Sequence, residues 1–257
     1  MQDKVAFISG GGSGIGQATA QVLARQGVRV ALAGRTPEEL TEVAEQIARD
    51  GGSAITVPCD VSDEDSVRSA IDTTVQTWGR LDIVVANAGV NGTWAGIDDL
   101  TVDDFRTTVD INLVGTFTTI KYAVPHLRER GGSVVVTSSV NGTRMFSNSG
   151  ASAYSSSKAG QVALTKMLAV ELGPAGIRVN VVCPGAISTE ISDNTKAENE
   201  DVQIPVEFPR GEIPLTGGRP GSAEQVGDLI AFLASDHASH ISGTELWIDG
   251  AQSLLQG

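Results

Sequence analysis

The chain alternates short β-branched runs with longer amphipathic stretches along almost its whole length. The β-branched runs predict seven strands, which we place at Val5–Ser9, Val28–Ala33, Ala54–Pro58, Ile83–Ala86, Val134–Ser138, Arg178–Cys183 and Glu245–Ile248. Helical spacing of apolar residues predicts helices at Gly16–Gln26, Pro37–Arg49, Asp63–Trp78, Val102–Glu129, Ser152–Leu172 and Ala223–Ala234. This alternation is typical of the α/β class, so we expect one doubly wound domain over residues 1–257. Its seven-stranded parallel sheet would carry helices on both faces.

One segment, at about residues 186–221, does not follow this pattern. It contains the four prolines Pro205, Pro209, Pro214 and Pro220 among many acidic residues. Long irregular segments inside a compact domain usually serve a function, and this one lies between a predicted strand and a predicted helix. We therefore predict a substrate loop or lid here; a solvated insertion without function is the alternative.

Charge and composition exclude several classes of partner. The formal net charge is −13, and no cluster of basic residues offsets it, so nucleic acid and anionic membrane surfaces are not expected partners. No apolar run has the roughly 20 residues that a membrane span requires, and the N-terminal residues lack a secretory pattern, so we expect a cytoplasmic protein. Cys59 and Cys183 each follow an apolar run and are predicted to be buried packing thiols. We assign no metal ligands.

A glycine-rich turn joins the first predicted strand to the first helix. Gly10 permits a tight turn, Gly14 allows the backbone to approach a pyrophosphate, and Gly16 lets the helix pack closely on the strand. The intervening Ser13 and Ile15 are assigned to the same phosphate-binding turn. The context of strand, turn and helix predicts a Rossmann-type dinucleotide site, with a purely structural glycine turn as the alternative.

The end of the second strand bears on the choice of cofactor. No acidic residue follows it to bind a ribose 2′-hydroxyl, whereas Arg35 and Thr36 are suited to a 2′-phosphate. We therefore favour NADP over NAD as the cofactor, and use of NAD stays open. The alternative for Arg35 is a surface arginine without a role in cofactor binding. After the third strand, Asp60 and Val61 are assigned to the adenine, although Asp60 also suits a helix cap.

Tyr154 and Lys158 lie four residues apart on a predicted helix and so share one of its faces. The ordinary pKa of tyrosine, about 10, is too high for a base near neutral pH. An adjacent ammonium stabilises the phenolate and lowers that pKa. The pair therefore predicts proton transfer by Tyr154, although such pairs also occur by chance.

Six motifs that follow one another in a characteristic order favour a catalytic Tyr154–Lys158 pair over a chance one. They are the glycine-rich Ser9–Gly16, Asn87–Gly89, Asn112, Ser138–Ser139, Tyr154–Lys158 and Pro184–Gly185. This order resembles that of the short-chain dehydrogenases/reductases over almost the whole chain, and Ile248-Asp249-Gly250 looks like that family's end. Ser9 stands where the family usually has threonine, and Ala251 replaces a common glycine.

The resemblance implies a role for each matching residue. Ser139 would bind the substrate oxygen, Tyr154 would be the general acid/base, and Lys158 would bind the nicotinamide ribose. Asn112 would hold a water in the proton relay; structural roles for Ser139 and Asn112 are the alternatives. The remaining cofactor contacts implied are Asn87, Ala88, Gly89, Pro184, Gly185, Ile187 and Thr189, together with Tyr154 and Lys158.

Residues beside these motifs are the candidates for the substrate pocket. They are Asn91, Trp94, Val140, Asn141 and Arg144. Arg144 suits a substrate carboxylate or phosphate, or equally an acidic neighbour on the surface. Ser139 and Tyr154 are 15 residues apart, which is long for the family and predicts an enlarged loop at residues 141–149.

The resemblance implies an NAD(P)-dependent oxidoreductase that interconverts a secondary alcohol and a ketone. A keto sugar or polyol, a 2-oxo compound and a 3-oxoacyl thioester are the candidate substrates. The alternative from another class is a non-catalytic cofactor-binding redox regulator, which would be expected to carry a broken catalytic set. The resemblance also implies a homotetramer, with apolar stretches at Val102–Tyr122 and Gln161–Val170 as candidate contacts.

Overall fold

The computed structural model describes residues 1–189, 195–197 and 213–256. Seven strands form one sheet: β1 (Val5–Ser9), β2 (Arg29–Gly34), β3 (Ser53–Pro58), β4 (Ile83–Ala86), β6 (Gly132–Thr137), β7 (Ile177–Pro184) and β11 (Glu245–Ile248). All are parallel, in the order β11-β7-β6-β4-β1-β2-β3. The predicted seven-stranded parallel sheet is confirmed, and the predicted strand bounds differ from these by at most a few residues.

Helices cover both faces of this sheet. They are α1 (Gly14–Arg25), α2 (Pro37–Arg49), α3 (Glu64–Trp78), α4 (Val102–Val109), α5 (Gly115–Leu127), α6 (Ser152–Leu172), α7 (Ala223–Ala234) and the short α8 (Ser253–Gln256). Side chains along β1 alternate between two cores. Val5 and Phe7 belong to the core that contains α3, α5 and α6 residues, whereas Ala6 and Ile8 belong to the core that contains α1, α2 and α7 residues.

The predicted helix over Val102–Glu129 is confirmed as a helical stretch over Val102–Leu127, but it contains a π-helical turn that the apolar pattern did not indicate. Helix α4 ends at Val109, a π-helical turn spans Asp110–Val114, and α5 follows directly. Apolar periodicity runs through such a turn, because a π turn widens the helix without ending it. Asn112 lies in the middle of the turn with no exposed surface.

Short strands lie beside the main sheet. Strand β5 (Gly92–Trp94) pairs with β9 (Thr195–Ala197), and β8 (Ile187–Ser188) pairs with β10 (Gly221–Ser222). Strands β8 and β9 fall within the predicted lid. Residues 190–194 and 198–212 of that lid lie outside the described residues.

Cys59 and Cys183 are buried free thiols, as predicted. Burial raises the pKa of Cys59 to about 11 and that of Cys183 to about 12, so both stay protonated near neutral pH. Within the described part of the chain, no helix is both long enough and apolar enough to cross a membrane.

The sheet order locates the crevice. Strand β1 pairs with β2 on one side and with β4 on the other. Strands β2 and β3 are added on one side of β1, and the later strands are added on its other side, so the order of the strands across the sheet reverses at β1. In open α/β sheets, ligands bind outside the carboxyl ends of the strands at such a switch point. The loops after β1, β4, β6 and β7 are therefore expected to form the site.

Candidate active site

The turn after β1 is shaped by its glycines. Gly10 and Gly14 have φ angles of +67° and +51°, a conformation that favours glycine. A β-carbon at Gly16 would lie 1.9 Å from the Gly10 carbonyl oxygen, so only glycine fits there. The turn leads directly into the N-terminus of α1, whose free amides and dipole attract an anion. The residues present therefore fit a dinucleotide pyrophosphate.

Ser9 supports this turn from below. Its hydroxyl accepts hydrogen bonds from the backbone amides of Asn87 and Ala88, at 3.0 and 3.1 Å. The Asn87 side chain in turn donates to the carbonyls of Ser9 and Gly10, at 3.2 and 3.3 Å. The segment after β4 thus holds the glycine turn in place, and serine provides the hydroxyl that threonine would provide.

A single cavity of about 810 Å³ extends along the carboxyl ends of the strands. The predicted cofactor residues that line it are Gly10, Ser13, Gly14, Ile15, Arg35, Thr36, Asn87, Ala88, Gly89, Tyr154, Lys158, Pro184, Gly185, Ile187 and Thr189. Gly16 lies behind them in α1. The structure thus brings together, in one space, the glycine turn and the Tyr154–Lys158 pair, which are about 140 residues apart in sequence.

The end of the cavity near β2 carries two opposite charges. Arg35 is exposed and lines both the main cavity and a smaller one of about 120 Å³, which Asp60 and Val61 also line. Asp60 accepts from the amide and hydroxyl of Ser62, and these bonds, with a smaller contribution from Arg35, lower its pKa. Helix α3 is capped by Asp63, so the capping alternative for Asp60 is wrong.

Glu39 completes this end of the cavity. A β-carbon at Gly12 would lie 3.1 Å from Glu39 Oε2, which places the carboxylate beside the glycine turn.

Ser139 and Tyr154 meet at the floor of the cavity. Ser139 follows β6, Tyr154 lies in the first turn of α6, and both are 8% exposed. Their hydroxyls are close enough for Ser139 to influence the pKa of Tyr154, and Ser139 Oγ accepts from the Asn141 amide at 3.2 Å. Burial raises the pKa of Tyr154, and Ser139 offsets this only in part. Without cofactor, Tyr154 is therefore a protonated phenol, ready to act as an acid.

Lys158 lies one turn further along α6. Its Nζ donates to the Thr137 carbonyl at 2.9 Å and is 5.6 Å from the centre of the Tyr154 ring. Burial lowers the pKa of Lys158 to about 8. Ser138 anchors this turn, because its hydroxyl donates to the Lys158 carbonyl at 2.9 Å. The expected lowering of the Tyr154 pKa by Lys158 is not found in the cofactor-free protein, where burial raises that pKa.

Asn112 is bonded to protein groups on every side. Its Oδ1 accepts from the Val90 amide at 2.8 Å, and its Nδ2 donates to the Val90 carbonyl at 2.9 Å and to Ser157 Oγ at 3.0 Å. Its main-chain carbonyl accepts from Thr116 Oγ1 and from Gln161 Nε2, both at 2.7 Å. Asn112 therefore links the segment after β4 to α6, so the structural role that we raised as an alternative is present in the structure.

The opposite end of the cavity is closed by the segment after β7. Gly185 packs against the Asp249 turn, and a β-carbon there would lie 2.6 Å from Asp249 Cβ. Gln252 Oε1 accepts from the Ala186 amide at 2.9 Å. Thr189 stands next to Gly14, whose added β-carbon would lie 3.3 Å from Thr189 Cγ2. Residues 249–252 thus form part of the wall next to Pro184–Gly185.

Four of the five predicted substrate residues line the cavity. These are Asn91, Trp94, Val140 and Asn141. Arg144 is not among the lining residues, because its guanidinium lies 3.6 Å from the centre of the Trp247 ring. The neighbouring Thr143 accepts from Trp247 Nε1 at 2.9 Å. The structure therefore gives Arg144 a stacking partner in β11 and removes the basis for an anionic substrate at this position.

Sequence reasoning missed several lining residues, among them Glu39, Thr137, Met145, Asn148 and Gln252. Met145 and Asn148 lie in the loop at residues 141–149. The unusual length of this loop was the feature of the sequence that could have indicated them as lining residues. No motif pointed to Glu39 or Gln252. Among the described residues, no cluster of three or more His, Cys, Asp or Glu residues could hold a metal ion.

Comparisons with known proteins agree with this geometry. A family model described as enoyl-(acyl carrier protein) reductase matches residues 10–251. The chain is 38% identical to a trans-4-hydroxycyclohexanecarboxylate dehydrogenase from Sinomonas cyclohexanicum, over 98% of this chain and 93% of the relative. Among solved structures, a 3-ketoacyl-ACP reductase from Sinorhizobium meliloti superposes with a TM-score of 0.94 at 54% identity, covering 98% of this chain and 99% of that one.

A third relative carries a bound cofactor. The structure of carveol dehydrogenase from Mycobacterium avium in complex with NAD superposes with a TM-score of 0.88 at 32% identity, over 99% of both chains. Fold and site together define a Rossmann-type oxidoreductase architecture. The chain belongs to the short-chain dehydrogenase/reductase family.

Proposed function

We propose that this protein is an NAD(P)-dependent oxidoreductase that interconverts a secondary alcohol and a ketone. The observation that carries the proposal is the convergence of Ser139, Tyr154 and Lys158 in the same cavity as the glycine turn. A bound nicotinamide cofactor would supply or accept the hydride. The chain's own groups would bind the cofactor, orient the substrate oxygen and move the proton.

In the direction of reduction, the roles follow from the geometry. The hydroxyls of Ser139 and Tyr154 are adjacent, so both would donate to one carbonyl oxygen and stabilise the negative charge that develops on it. Tyr154, protonated in the resting protein, would then give up its proton to that oxygen. Lys158, when charged, would stabilise the resulting phenolate, while its position beside Gly89 would suit a contact with the nicotinamide ribose.

The described pocket wall favours a compact, uncharged substrate. Trp94, Val140 and Met145 offer apolar surface, and Asn91 and Asn148 offer amides. Apart from Lys158, the described lining near the reacting hydroxyls holds no cation, so a substrate anion would gain no ion pair there. A cyclic secondary alcohol or ketone fits this chemistry, and one relative, 34% identical, is named cyclohexanol dehydrogenase. The relative named for trans-4-hydroxycyclohexanecarboxylate also acts on a cyclic alcohol, but one that carries an anionic carboxylate.

A 3-oxoacyl thioester is the second candidate, supported by the 54% identity to the solved 3-ketoacyl-ACP reductase. A carrier protein is acidic, so its docking would be opposed by this chain's net charge of −13 unless a local basic patch offsets it.

The test is the oxidation of NADPH and NADH by the purified protein with a panel of substrates. The panel holds cyclic ketones, keto sugars, 2-oxo acids and 3-oxoacyl thioesters. We expect the highest kcat/KM with cyclic ketones. Turnover with thioesters alone would select the second candidate, and cofactor binding without any turnover would support the non-catalytic redox regulator instead.

We further propose that NADP(H) is the preferred cofactor. Arg35 lines the cavity at the end of β2, where no carboxylate stands at residues 34–36 to bind a 2′-hydroxyl. NAD(H) is the second candidate, because the Glu39 carboxylate at the same end would repel a 2′-phosphate and the carveol dehydrogenase relative binds NAD.

Replacing Arg35 tests this preference. Charge-assisted hydrogen bonds contribute about 1.5–3 kcal/mol, so we expect Arg35→Ala to raise the KM for NADPH by roughly 10- to 100-fold. The KM for NADH should change by less than about twofold, because it has no 2′-phosphate. Steady-state kinetics with both cofactors measures the ratio.

Arg49→Ala is the matched control, since Arg49 is exposed at the far end of α2 and contacts Gln46 and Glu45. Glu39→Gln should shift the preference further towards NADPH. An Arg35→Ala protein with an unchanged NADPH to NADH ratio would contradict the proposal.

Self-assembly remains a prediction, supported by exposed apolar side chains. Within the described residues, α4 to α5 expose Val102, Phe105, Val114 and Phe117, and α6 exposes Met167 and Val170. A homotetramer that buries these faces is consistent with their character. The cytoplasmic location and the single-domain organisation likewise remain predictions.

A further inference from the structure

Gln161 is a buried polar residue that the catalytic roles above do not use. It lies on α6, three residues after Lys158, and has no exposed surface. Its Nε2 donates to the Asn112 carbonyl at 2.7 Å and to Thr116 Oγ1 at 2.8 Å, so both of its protons are bonded. Its Oε1 is buried without a hydrogen-bond partner.

Packing alone does not account for a glutamine at this position. An unpaired buried acceptor is unfavourable, and an apolar side chain of the same length would avoid that cost. The two donor contacts are therefore the reason to expect a role. One contact is made with the π-helical turn Asp110–Val114, and the other with the first turn of α5.

The contact between Gln161 and the π turn is made to a backbone carbonyl, that of Asn112. A π turn changes the regular helical hydrogen-bond pattern, and the Asn112 carbonyl in this turn accepts from the side chains of Gln161 and Thr116. This oxygen thus has two side-chain donors. Gln161 is the donor that comes from the catalytic helix, so it joins the π turn to α6.

The consequence reaches the reacting groups through Asn112. The Asn112 side chain holds both the amide and the carbonyl of Val90, directly after Gly89. Gly89 lies between Asn112 and the catalytic lysine: a β-carbon there would be 3.1 Å from Asn112 Oδ1 and 3.4 Å from Lys158 Nζ. A displacement of the π turn would therefore move Gly89 and Val90, next to which the Lys158 amine lies.

We propose that Gln161 is a positioning residue, which fixes the π turn that carries Asn112 against α6 and so sets the placement of Gly89 and Val90 beside Lys158. The catalytic part of this inference rests on the proposed oxidoreductase function. Gln161 itself touches no reacting atom. It acts through the Asn112 carbonyl.

The test is Gln161→Met, which keeps the length of the side chain and removes both donors. The Asn112 carbonyl keeps its bond from Thr116, so no buried carbonyl loses all its partners and the fold is expected to persist. We expect kcat to fall by about tenfold through misalignment, with the KM for NADPH within about twofold of wild type. The kcat is expressed per cofactor-binding site, titrated by NADPH fluorescence, so that loss of folded protein does not count.

Thr165→Val is the matched control. Thr165 lies one turn further along α6, is fully buried, and has a hydroxyl without a partner, like Gln161 Oε1. It should keep kcat within about twofold. Equal losses in both variants, or an unchanged kcat in Gln161→Met, would overturn the proposal.

A second readout does not depend on turnover. Hydrogen exchange of the Val90 amide, which donates to Asn112 Oδ1, should be faster in Gln161→Met than in Thr165→Val. If the wild-type protein turns over no substrate, the oxidoreductase proposal fails, and this exchange rate still decides whether Gln161 positions the segment. Equal exchange in the two variants would show that it does not.

Discussion

Tyr154→Phe is expected to lower kcat by about 10³-fold or more while the protein still binds NADPH. The substitution removes one oxygen from a buried ring and leaves the packing of α6 intact. What it removes is the proton that would pass to the substrate oxygen and one of two donors that would stabilise the charge on it. Ser139 would remain as a single donor, which accounts for a residual rate.

The chain offers a matched control for this variant. Tyr122 is its only other tyrosine, and it lies on the α3 and α5 surface, where Arg68 donates to its hydroxyl at 2.8 Å. Tyr122→Phe should keep kcat within about twofold, because it makes the same chemical change away from the cavity. NADPH oxidation with the best ketone, together with cofactor titration, separates lost chemistry from lost binding. Full activity in Tyr154→Phe would remove the basis of the proposed mechanism.

Lys158→Met is expected to lower kcat by about 10²-fold or more and to weaken cofactor binding as well. Burial lowers the pKa of Lys158 to about 8, so the cofactor-free protein holds it as an ammonium below that pH and as an amine above it. Reduction of a ketone needs Tyr154 protonated and the phenolate product stabilised by the charged lysine. The wild-type rate of reduction should therefore fall as the pH rises through about 8.

The pH profile distinguishes this role from a structural one. In Lys158→Met the residual rate should lose the inflection near pH 8 and fall only at higher pH, where Tyr154 itself ionises. Lys166→Met is the control, since Lys166 lies two turns further along α6, is half exposed, and pairs with Glu245. An inflection that persists in Lys158→Met would assign it to another group.

The central sheet could be predicted because its strands are buried on both faces. Runs such as Ile83–Ala86 are apolar throughout, and that pattern depends on the sequence alone. The Tyr154 and Lys158 pair was also visible, because four residues along a helix is a local relation. The π turn at Asp110–Val114 was not, since it changes backbone hydrogen bonding without interrupting the apolar period.

The features that could not be predicted from the sequence depend on contacts between segments that are distant along the chain. Arg144 lies beside the catalytic loop in sequence, yet its partner Trp247 comes about 100 residues later and draws it out of the cavity. Glu39 carries no motif, and only the packing of α2 against Gly12 places its carboxylate beside the cofactor site. In sequence, Gln161 is part of an apolar stretch, and its proposed role depends on its contact with the π turn.

The position of β11 has a consequence during synthesis of the protein. This strand forms an edge of the sheet, and residues 249–252 after it pack on Gly185 and bond the Ala186 amide. A nascent chain that already contains Ser139, Tyr154 and Lys158 therefore still lacks one wall of its cofactor cleft. We therefore expect this cleft to be complete only after residues 245–252 have left the ribosome and docked on the segment after β7.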